Sequence, residues 1–588
     1  SCGLRRSLST QLSRVLAADE EALVPLVRVV PVTKQEEYVL SGDRGHFQVS
    51  VRALADGGLL GPVVDVDAEA QSLARKVPCD SVVSAVGVQR QGLLGFTVDS
   101  ALLTSTVLRR VEEDGECFGA TSELFSGLPR ERIIIEYSSP NIAKKFHAGH
   151  LRSTIIGNFL ANLHDFLRHD VIRMNYLGDW GMQFGMLGAG FQRFGSTEHL
   201  ERNPIQHLFE VYVQANRAAK DDPALEQEAR IFLRSLEDGG DEALSLWRKF
   251  RALSVENYSM TYQRLAVRFD EYSGESLYRD KAQDVVSRLK ELGLFTTTEQ
   301  GTGVVDLSPG RDMTSLATLT RSDGSSLYLT SQHRDIAAAV DRMDRYCFDK
   351  MVYVTDKGQE GHFRQVFETL RLMGNGWTDR CVHVGFGLVQ GMKTRRGDVV
   401  FLEDVLDEAQ ARMRQNMDST STTKELDDPE GTAEKLGIAA IIIQDFQGDL
   451  KKGYKFDWAR VLQSRGDTGV FLQYTHARLC SLERSCGVAL GKEFSPSHLQ
   501  ESPAPALVQH LMRYDEAVEE AACELQPRPL VQFLFTLSSR LAAVAHRNLP
   551  VKGMPSDLAQ ARLHLFVATR SVLARGLRLL GIVPVDRM

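Results

Sequence analysis

The sequence predicts a multidomain α/β protein built around a Rossmann-like, doubly wound sheet. Three observations predict it. Short β-branched runs at Ile133–Ile135, Val171–Tyr176 and Met351–Thr355 alternate with segments of helical period, as parallel strands joined by crossover helices do. Between the second and third runs, residues 204–293 carry helical periodicity (Leu225–Glu237, Asp241–Leu253), which reads as a helical insertion between two halves of one sheet. Finally, 588 residues exceed what one core can organise. The pattern divides them into a mixed α+β stretch at 19–126, the sheet-forming stretch at 127–430 and an almost entirely helical stretch at 431–588.

Residues 1–18 hold Arg5, Arg6, Arg14, four serines and no acid, the composition of a mitochondrial targeting segment. The α+β stretch shows strands at Val27–Val32, Phe47–Val51 and Gly95–Val98 and helices at Ala68–Lys76 and Ala101–Glu113, with a Gly- and Asp-rich loop at 55–67. Next, the strand Ile133–Ile135 is broken by Ser138, Ser139, Pro140 and Asn141. A helix starts after Gly149, with Leu151, Ile155, Ile156, Phe159, Leu163 and Phe166 largely on one face. With Val171–Tyr176 this completes a βαβ unit. Thr302–Leu307 and Thr314–Thr320 read as strands, Asp335–Arg345 as a helix, Met351–Thr355 as a buried strand, His362–Leu372 as a helix and Cys381–Gly387 as a further strand. From Ala433 the chain is helical, and Leu558, Ala561, Leu565, Ala568, Val572 and Leu579 form a core stripe.

Composition narrows the function. No apolar run of about 18 residues occurs, so no membrane-spanning helix is expected. Eight cysteines without a Cys-x-x-Cys pair argue against a zinc ribbon and a disulfide framework, so no metal site is expected and a reducing compartment is. The net charge is −8, yet Pro527–Met588 carries nine Lys+Arg against two Asp+Glu. A basic end on an acidic body suits a polyanion, with Arg562, Arg570, Arg575 and Arg578 as candidate phosphate contacts off the apolar stripe; a solvated charged helix gives the same count.

The first crossover carries the chemistry. Its helix starts among Lys144, Lys145, His147, Gly149 and His150. A helix N-terminus offers free N–H groups and partial positive charge, the lysines add full charges, and glycine lets backbone approach a phosphate. No GxxxxGK[ST] string occurs, so this reads as a triphosphate site without a Walker loop; by spacing alone, a helix cap or a metal pair accounts for His-x-x-His equally well. The segment Gln390–Asp398 places Lys393, Arg395 and Arg396 between Gly391 and Gly397, a second loop suited to an extended polyanion. In Asn175-Tyr-Leu-Gly-Asp-Trp-Gly181, Asp179 and Gln183 just beyond either bind substrate or order the loop.

The string Ser138-Ser-Pro-Asn-Ile-Ala-Lys-Lys-Phe-His-Ala-Gly-His-Leu-Arg-Ser-Thr154 contains His147-Ala-Gly-His150 and resembles the HIGH region of class I aminoacyl-tRNA synthetases, the arginyl-tRNA synthetase family in particular. The Asn-x-x-Gly-Asp-Trp-Gly string and Phe471-Leu-Gln-Tyr-Thr-His-Ala-Arg478 resemble the same family, in its animal mitochondrial branch. The resemblance implies that ATP with Mg²⁺ activates L-arginine to an adenylate, and that the arginyl group passes to the terminal ribose of tRNA(Arg). It implies Lys144, His147, His150 and Lys393 as catalytic residues, with Gly149 and Met392 also touching ATP. Glu136, Asn141, Tyr328, Asp335 and Gln359 would bind arginine. The N-terminal domain would contact the tRNA elbow and the C-terminal all-α domain would bind the anticodon, in a monomer of the mitochondrial matrix, off the membrane.

Two departures stand out. The usual Tyr-x-Thr-Arg-Asp appears as Tyr328-Leu-Thr-Ser-Gln-His-Arg-Asp335, with Ser331, Gln332 and His333 inserted, and the loop at Lys393 is a degenerate KMSKS sequence. A catalytically silent tRNA-binding relative and a synthetase for cysteine or glutamate are the rival readings.

Overall fold

The computed structural model describes residues 3–32, 45–142, 144, 148–307, 316–320, 331–394, 397–398, 401–420 and 426–588. Its N-terminal domain holds a four-stranded antiparallel sheet of β1 (Arg28–Val29), β2 (Phe47–Ser50), β3 (Val83–Gln89) and β4 (Leu93–Val98), in the order β1-β2-β4-β3. Helix Val66–Lys76 packs on it, started by the Asp65 carboxylate, which caps the N–H groups of Asp67 and Ala68.

From Gly3 onward the basic segment 1–18 packs into the fold. Leu4–Leu16 is a helix with Leu8 and Leu12 fully buried. Arg5 is buried with them: Nε donates to Val27 O (2.7 Å), Nη1 to Asp515 (2.9 Å) and Nη2 to Glu516 (2.9 Å). This helix spends one of its cations on an internal ion pair that fastens it to the C-terminal helical domain.

The central domain opens with β5 (Arg132–Glu136), β6 (Asp170–Leu177) and β7 (Glu271–Gly274), passes through a small antiparallel sheet of β8 (Phe295–Thr297), β9 (Gly303–Asp306) and β10 (Leu316–Thr320), and returns with β11 (Lys350–Asp356) and β12 (Cys381–Phe386). Strands β12-β11-β5-β6-β7 lie parallel in that order. The chain runs outward from β5 to β7, then crosses back to place β11 on the other side of β5. Strand order therefore reverses between β5 and β11, where Ile135 faces Val352 and Glu136 faces Tyr353 in register. In such sheets the crevice outside the strand ends at the reversal takes the ligand.

Three expectations change. The insertion at 204–293 has its helices (Pro204–Ala218, Pro223–Glu237, Asp241–Arg264), but Glu271–Gly274 within it is the fifth strand of the main sheet. Four residues of mixed polarity give no apolar run to detect; pairing with β6 creates the strand. The helix expected from Asp335 begins at Ser331, so Ser331–His333 form an added first turn, with His333 buried. The boundary at 430 falls early as well. Tyr454–Lys455 still pairs in parallel with Val389–Gln390 beyond β12, and Pro429–Phe446 packs on Leu402–Asp418. Among the described residues no helix is long and apolar enough to cross a membrane.

Candidate active site

The turn leaving β5 is the most constrained stretch of the crevice. Ser138 (φ 69°) and Ser139 (φ 47°) both occupy the left-handed region that non-glycine residues avoid. Hydrogen bonds hold them there: Ser138 N–H to Ser153 Oγ (2.9 Å), Ser139 N–H to Asn175 Oδ1 (3.0 Å), and Ser138 Oγ with Tyr262 OH (2.6 Å). Ser153 Oγ in turn donates to Val354 O, so the turn, the helix that follows and β11 are fixed together. The turn then lies against the Asn-x-x-Gly loop. Gly178 N–H donates to Pro140 O and Ile142 N–H to Gly178 O, and a Cβ on Gly178 would lie 1.7 Å from Asn141 Oδ1. Glycine is what lets the Asn141 amide sit there.

Asp179 orders this loop. Its buried carboxylate accepts from Arg251 Nε (2.8 Å), Ser276 N–H (2.9 Å) and Ser276 Oγ (2.8 Å). Gln183 donates to Gly178 O, a structural bond as well.

Gly149 and His150 lie in the first turn of the helix Ala148–Phe166, with Lys144 exposed just ahead of it; His147 lies outside the described residues. Two residues after His150 on that helix, Arg152 is buried and pairs with Asp445 (2.8 Å) while Nη1 donates to Gly387 O (2.6 Å). Its guanidinium lies over the rings of Phe386 and Tyr454. Arg152 thus ties the helix start to the end of β12, from which the second cationic loop departs. In that loop Met392 is buried, Lys393 is exposed, and Lys393–Thr394 pairs antiparallel with Gly397–Asp398. Trp458 Nε1 donates to Lys393 O (2.8 Å), anchoring the loop from below.

Acids gather on the other side of the β5 end. Glu136 is buried and its carboxylate meets the Arg342 guanidinium at 2.5 Å, with Arg342 lying over Tyr176 (5.2 Å) and Tyr353 (6.0 Å). An internal guanidinium thus occupies the acid expected to receive that of the substrate. The reason is local: Arg342 falls two turns after Asp335 on the same helix face. Burial raises the Glu136 carboxyl, Arg342 pulls it down, and nearby Asp335 raises it further, for a net upward shift. Asp335 accepts from His362 Nε2 (2.6 Å). Gln359 stands exposed at the N-cap of helix Glu360–Leu372, past the carboxyl end of β11; Tyr328 lies outside the described residues.

Sequence reading missed Glu275. It follows directly on β7 and pairs with Arg334 (2.6 Å). Burial pushes its carboxyl up to about 7, against the pull of Arg334; Asp335 and Asp179 add to the rise and Lys144 opposes it. Glu275 therefore lies within the electrostatic reach of Asp335 and Lys144. The Tyr176 hydroxyl, within the influence of Asp335, Glu275 and Glu136, is buried without a hydrogen-bond partner among the described residues. The only available signal was the string Asp270-Glu-Tyr-Ser-Gly-Glu-Ser276, which carries no periodicity.

Of the four C-terminal arginines expected on phosphate, Arg562 and Arg575 are buried, Arg570 is half-buried and Arg578 is exposed, and each has a partner within the chain. Arg562 is buried and donates to Pro550 O and Glu501; Arg570 pairs with Glu483 (3.0 Å). Arg575 donates to Val111 O over the Phe118 ring, and Arg578 pairs with Glu116 (3.0 Å). The helix Ser556–Leu579 is buried over most of its surface, so Arg562 and Arg575, off the apolar stripe, face neighbouring elements instead of solvent. A further group of cations, Arg465, Arg478, Arg484 and Arg587, lines a cleft of about 840 Å³ with Tyr474.

Comparison with known proteins agrees with this architecture. Residues 125–458 match the family described as tRNA synthetases class I (R), catalytic domain, and residues 472–588 match the DALR anticodon binding domain. Proteins of Bos taurus and Homo sapiens, each named probable arginine–tRNA ligase, mitochondrial, are 56% identical over 588 residues, covering 100% of both chains. The cytoplasmic arginine–tRNA ligase of Saccharomyces cerevisiae is 39% identical over 600 residues, covering 100% of this chain and 94% of its own. In fold, the arginyl-tRNA synthetase of Thermus thermophilus superposes with a TM-score of 0.78 at 24% identity, over 99% of this chain and 100% of its own. That of Plasmodium falciparum superposes with a TM-score of 0.77 at 21% identity, over 99% and 98%. The chain belongs to the class I arginyl-tRNA synthetases.

Proposed function

We propose that this protein is an arginine–tRNA ligase. It activates L-arginine with ATP, taken as its Mg²⁺ complex, and esterifies the terminal ribose of tRNA(Arg) for translation in the mitochondrial matrix, working as a monomer. The observation that carries this reading is the carboxyl edge of the parallel sheet, where Lys144 and the helix from Ala148 follow β5, and Glu136 and Glu275 stand at the ends of β5 and β7 under the electrostatic influence of Asp335. The relatives' names support the same substrates.

In the first step a carboxylate oxygen of arginine attacks the α-phosphorus of ATP, and the bond to pyrophosphate breaks. Lys144, His147, His150 and Lys393 stabilise charge gathering on the phosphates; one such donor contributes about 3–4 kcal/mol in the transition state. Gly149 and Met392 border the nucleotide. Arg152 is a positioning residue that holds the two cationic segments in one frame. In the second step a ribose hydroxyl attacks the acyl carbon and AMP leaves. The protein supplies placement and electrostatics to both steps.

The guanidinium requires carboxylate acceptors in fixed geometry. Glu275 and Asp335 supply them, each able to accept a further donor beside its present partner. The Tyr176 hydroxyl, Asn141, Tyr328 and Gln359 add polar contacts, and Glu136 acts through Arg342 as the wall behind them. Lysine would leave buried acceptors unsatisfied, so discrimination of about 10⁴-fold needs no editing step. For tRNA, the arginine-lined cleft with exposed Tyr474 offers phosphate contacts and a stacking face. Charging tRNA(Arg) transcripts with each amino acid tests the reading: arginine alone should be attached. Tight tRNA binding with no amino acid attached would instead identify a silent RNA-binding relative.

A further inference from the structure

Where the C-terminal tail crosses helix Gly469–Ser485, three metal-ligating side chains converge outside the catalytic half. His476 and Cys480 stand one helical turn apart on the same face, both buried, and Asp586 arrives from the tail. Cys480 Sγ lies 3.7 Å from His476 Nδ1 and 3.7 Å from Asp586 Oδ1, and Nδ1 lies 4.0 Å from Oδ1. The tail is held in place around them. Gln473 donates to Val583 O (2.8 Å) and accepts from Val585 N–H (2.9 Å), His476 Nδ1 bonds Val585 O (2.8 Å), and Arg484 donates to Asp586 O (2.9 Å). Among the described residues no other trio of His, Cys and carboxylate side chains comes this close. Reading along the sequence could not reveal it, since the third member is 106 residues from the second.

Zinc with ligand bonds of 2.0–2.3 Å sets neighbouring donor atoms about 3.3–3.6 Å apart in a tetrahedron. The two sulfur edges need to close by about 0.1–0.2 Å and the Nδ1–Oδ1 edge by about 0.7 Å, within the reach of the torsions of the exposed Asp586 side chain. Imidazole, thiolate and carboxylate form a donor set suited to Zn²⁺, with one position left open. We propose that His476, Cys480 and Asp586 form a Zn²⁺-type transition-metal site that fastens the C-terminal tail to this helix, next to Ala477, Ser481 and Arg587 of the arginine-lined cleft. On binding, Cys480 releases its thiol proton to solvent and forms the sulfur–metal bond. The imidazole proton now on Nδ1 shifts to Nε2, freeing the Nδ1 lone pair for the metal, so one proton leaves per ion bound. The Val585 carbonyl oxygen, relieved of its hydrogen bond, and water are the candidates for the open position.

The test uses the full chain, stripped with a chelator and titrated with Co²⁺ as an optical probe. One equivalent should produce a thiolate-to-cobalt charge-transfer band that Zn²⁺ abolishes, and Zn²⁺ should raise the melting temperature. Cys480→Ser should lose the band. Asp586→Asn, at an exposed side chain whose replacement leaves the core untouched, should weaken Co²⁺ binding at least tenfold and lose the Zn²⁺ shift in melting. The exposed cysteines Cys79, Cys117, Cys347 and Cys523 provide the counter-outcome. A band that survives Cys480→Ser places the metal on another thiol and overturns the site, as does a folded wild-type chain that gives no band.

Discussion

Glu275 illustrates what burial does to a single carboxyl. With its pKa raised to about 7, it takes up a proton as the pH falls through neutrality. A guanidinium needs the ionised form, so KM for arginine should rise on acidification below about pH 7, by up to about tenfold per pH unit. The folded chain binds this proton more tightly than the unfolded chain does, so Glu275's contribution to stability falls as pH rises from the ordinary carboxylate range to 7. Glu275→Gln should raise KM for arginine roughly 10- to 100-fold, the loss of one charged hydrogen bond, and flatten the pH profile. A profile unchanged in the variant would assign the titration to another group. His150→Ala should lower kcat for ATP–pyrophosphate exchange about 10²–10³-fold with tRNA affinity intact; equal loss of both, read by exchange and filter binding, would indicate a folding defect.

Among elements, the first crossover was the most legible from sequence, and for a physical reason. Ile133–Ile135 is buried on both faces, which demands a continuous β-branched run, and the helix after it shows one apolar face. Strand β7 was illegible because its four residues gain their identity only by pairing with Met174–Leu177. Composition could not show that helix Leu4–Leu16 packs into the fold, because buried and solvated arginines look alike in it. Its burial makes a prediction. Burial opposes ionisation of Asp515, yet the Arg5 guanidinium and the Ser122 hydroxyl hold its pKa well below the usual carboxylate range. Removing Arg5 would strand two buried acids, so Arg5→Ala should cost about 3–5 kcal/mol, read as a lower denaturant midpoint. The Asp515 contribution is present above its ordinary pKa near 4 and is lost as the pH falls below it, so the variant and the wild type should converge in strong acid.

For the whole molecule, net charge misled in one respect and guided in another. The C-terminal excess of cations is real, but a helix buried over most of its surface turns Arg562 and Arg575 inward to carbonyls and acids. Only three-dimensional packing separates these from Arg465 and Arg478, which face the open cleft. Reversing both, Arg465→Glu with Arg478→Glu, should weaken tRNA binding and reduce its salt dependence by about two phosphate contacts, with KM for arginine unchanged. Arg562→Ala, at a buried guanidinium bonded to Pro550 O and Glu501, should leave tRNA binding as it is and lower stability instead.

The acid crevice beside the cationic helix start was partly visible in the motifs, but its membership was decided by how β7 and the helix Ser331–Tyr346 fold against β5. The direct measurement is tRNA-dependent ATP–pyrophosphate exchange with arginine, lysine and citrulline, the last matching arginine in shape but lacking its charge. Exchange with arginine, and efficiencies lower by about 10⁴-fold with the other two, is the predicted result. Citrulline exchanging within tenfold of arginine would mean that buried carboxylates do not select the substrate, and would contradict the assignment of this crevice.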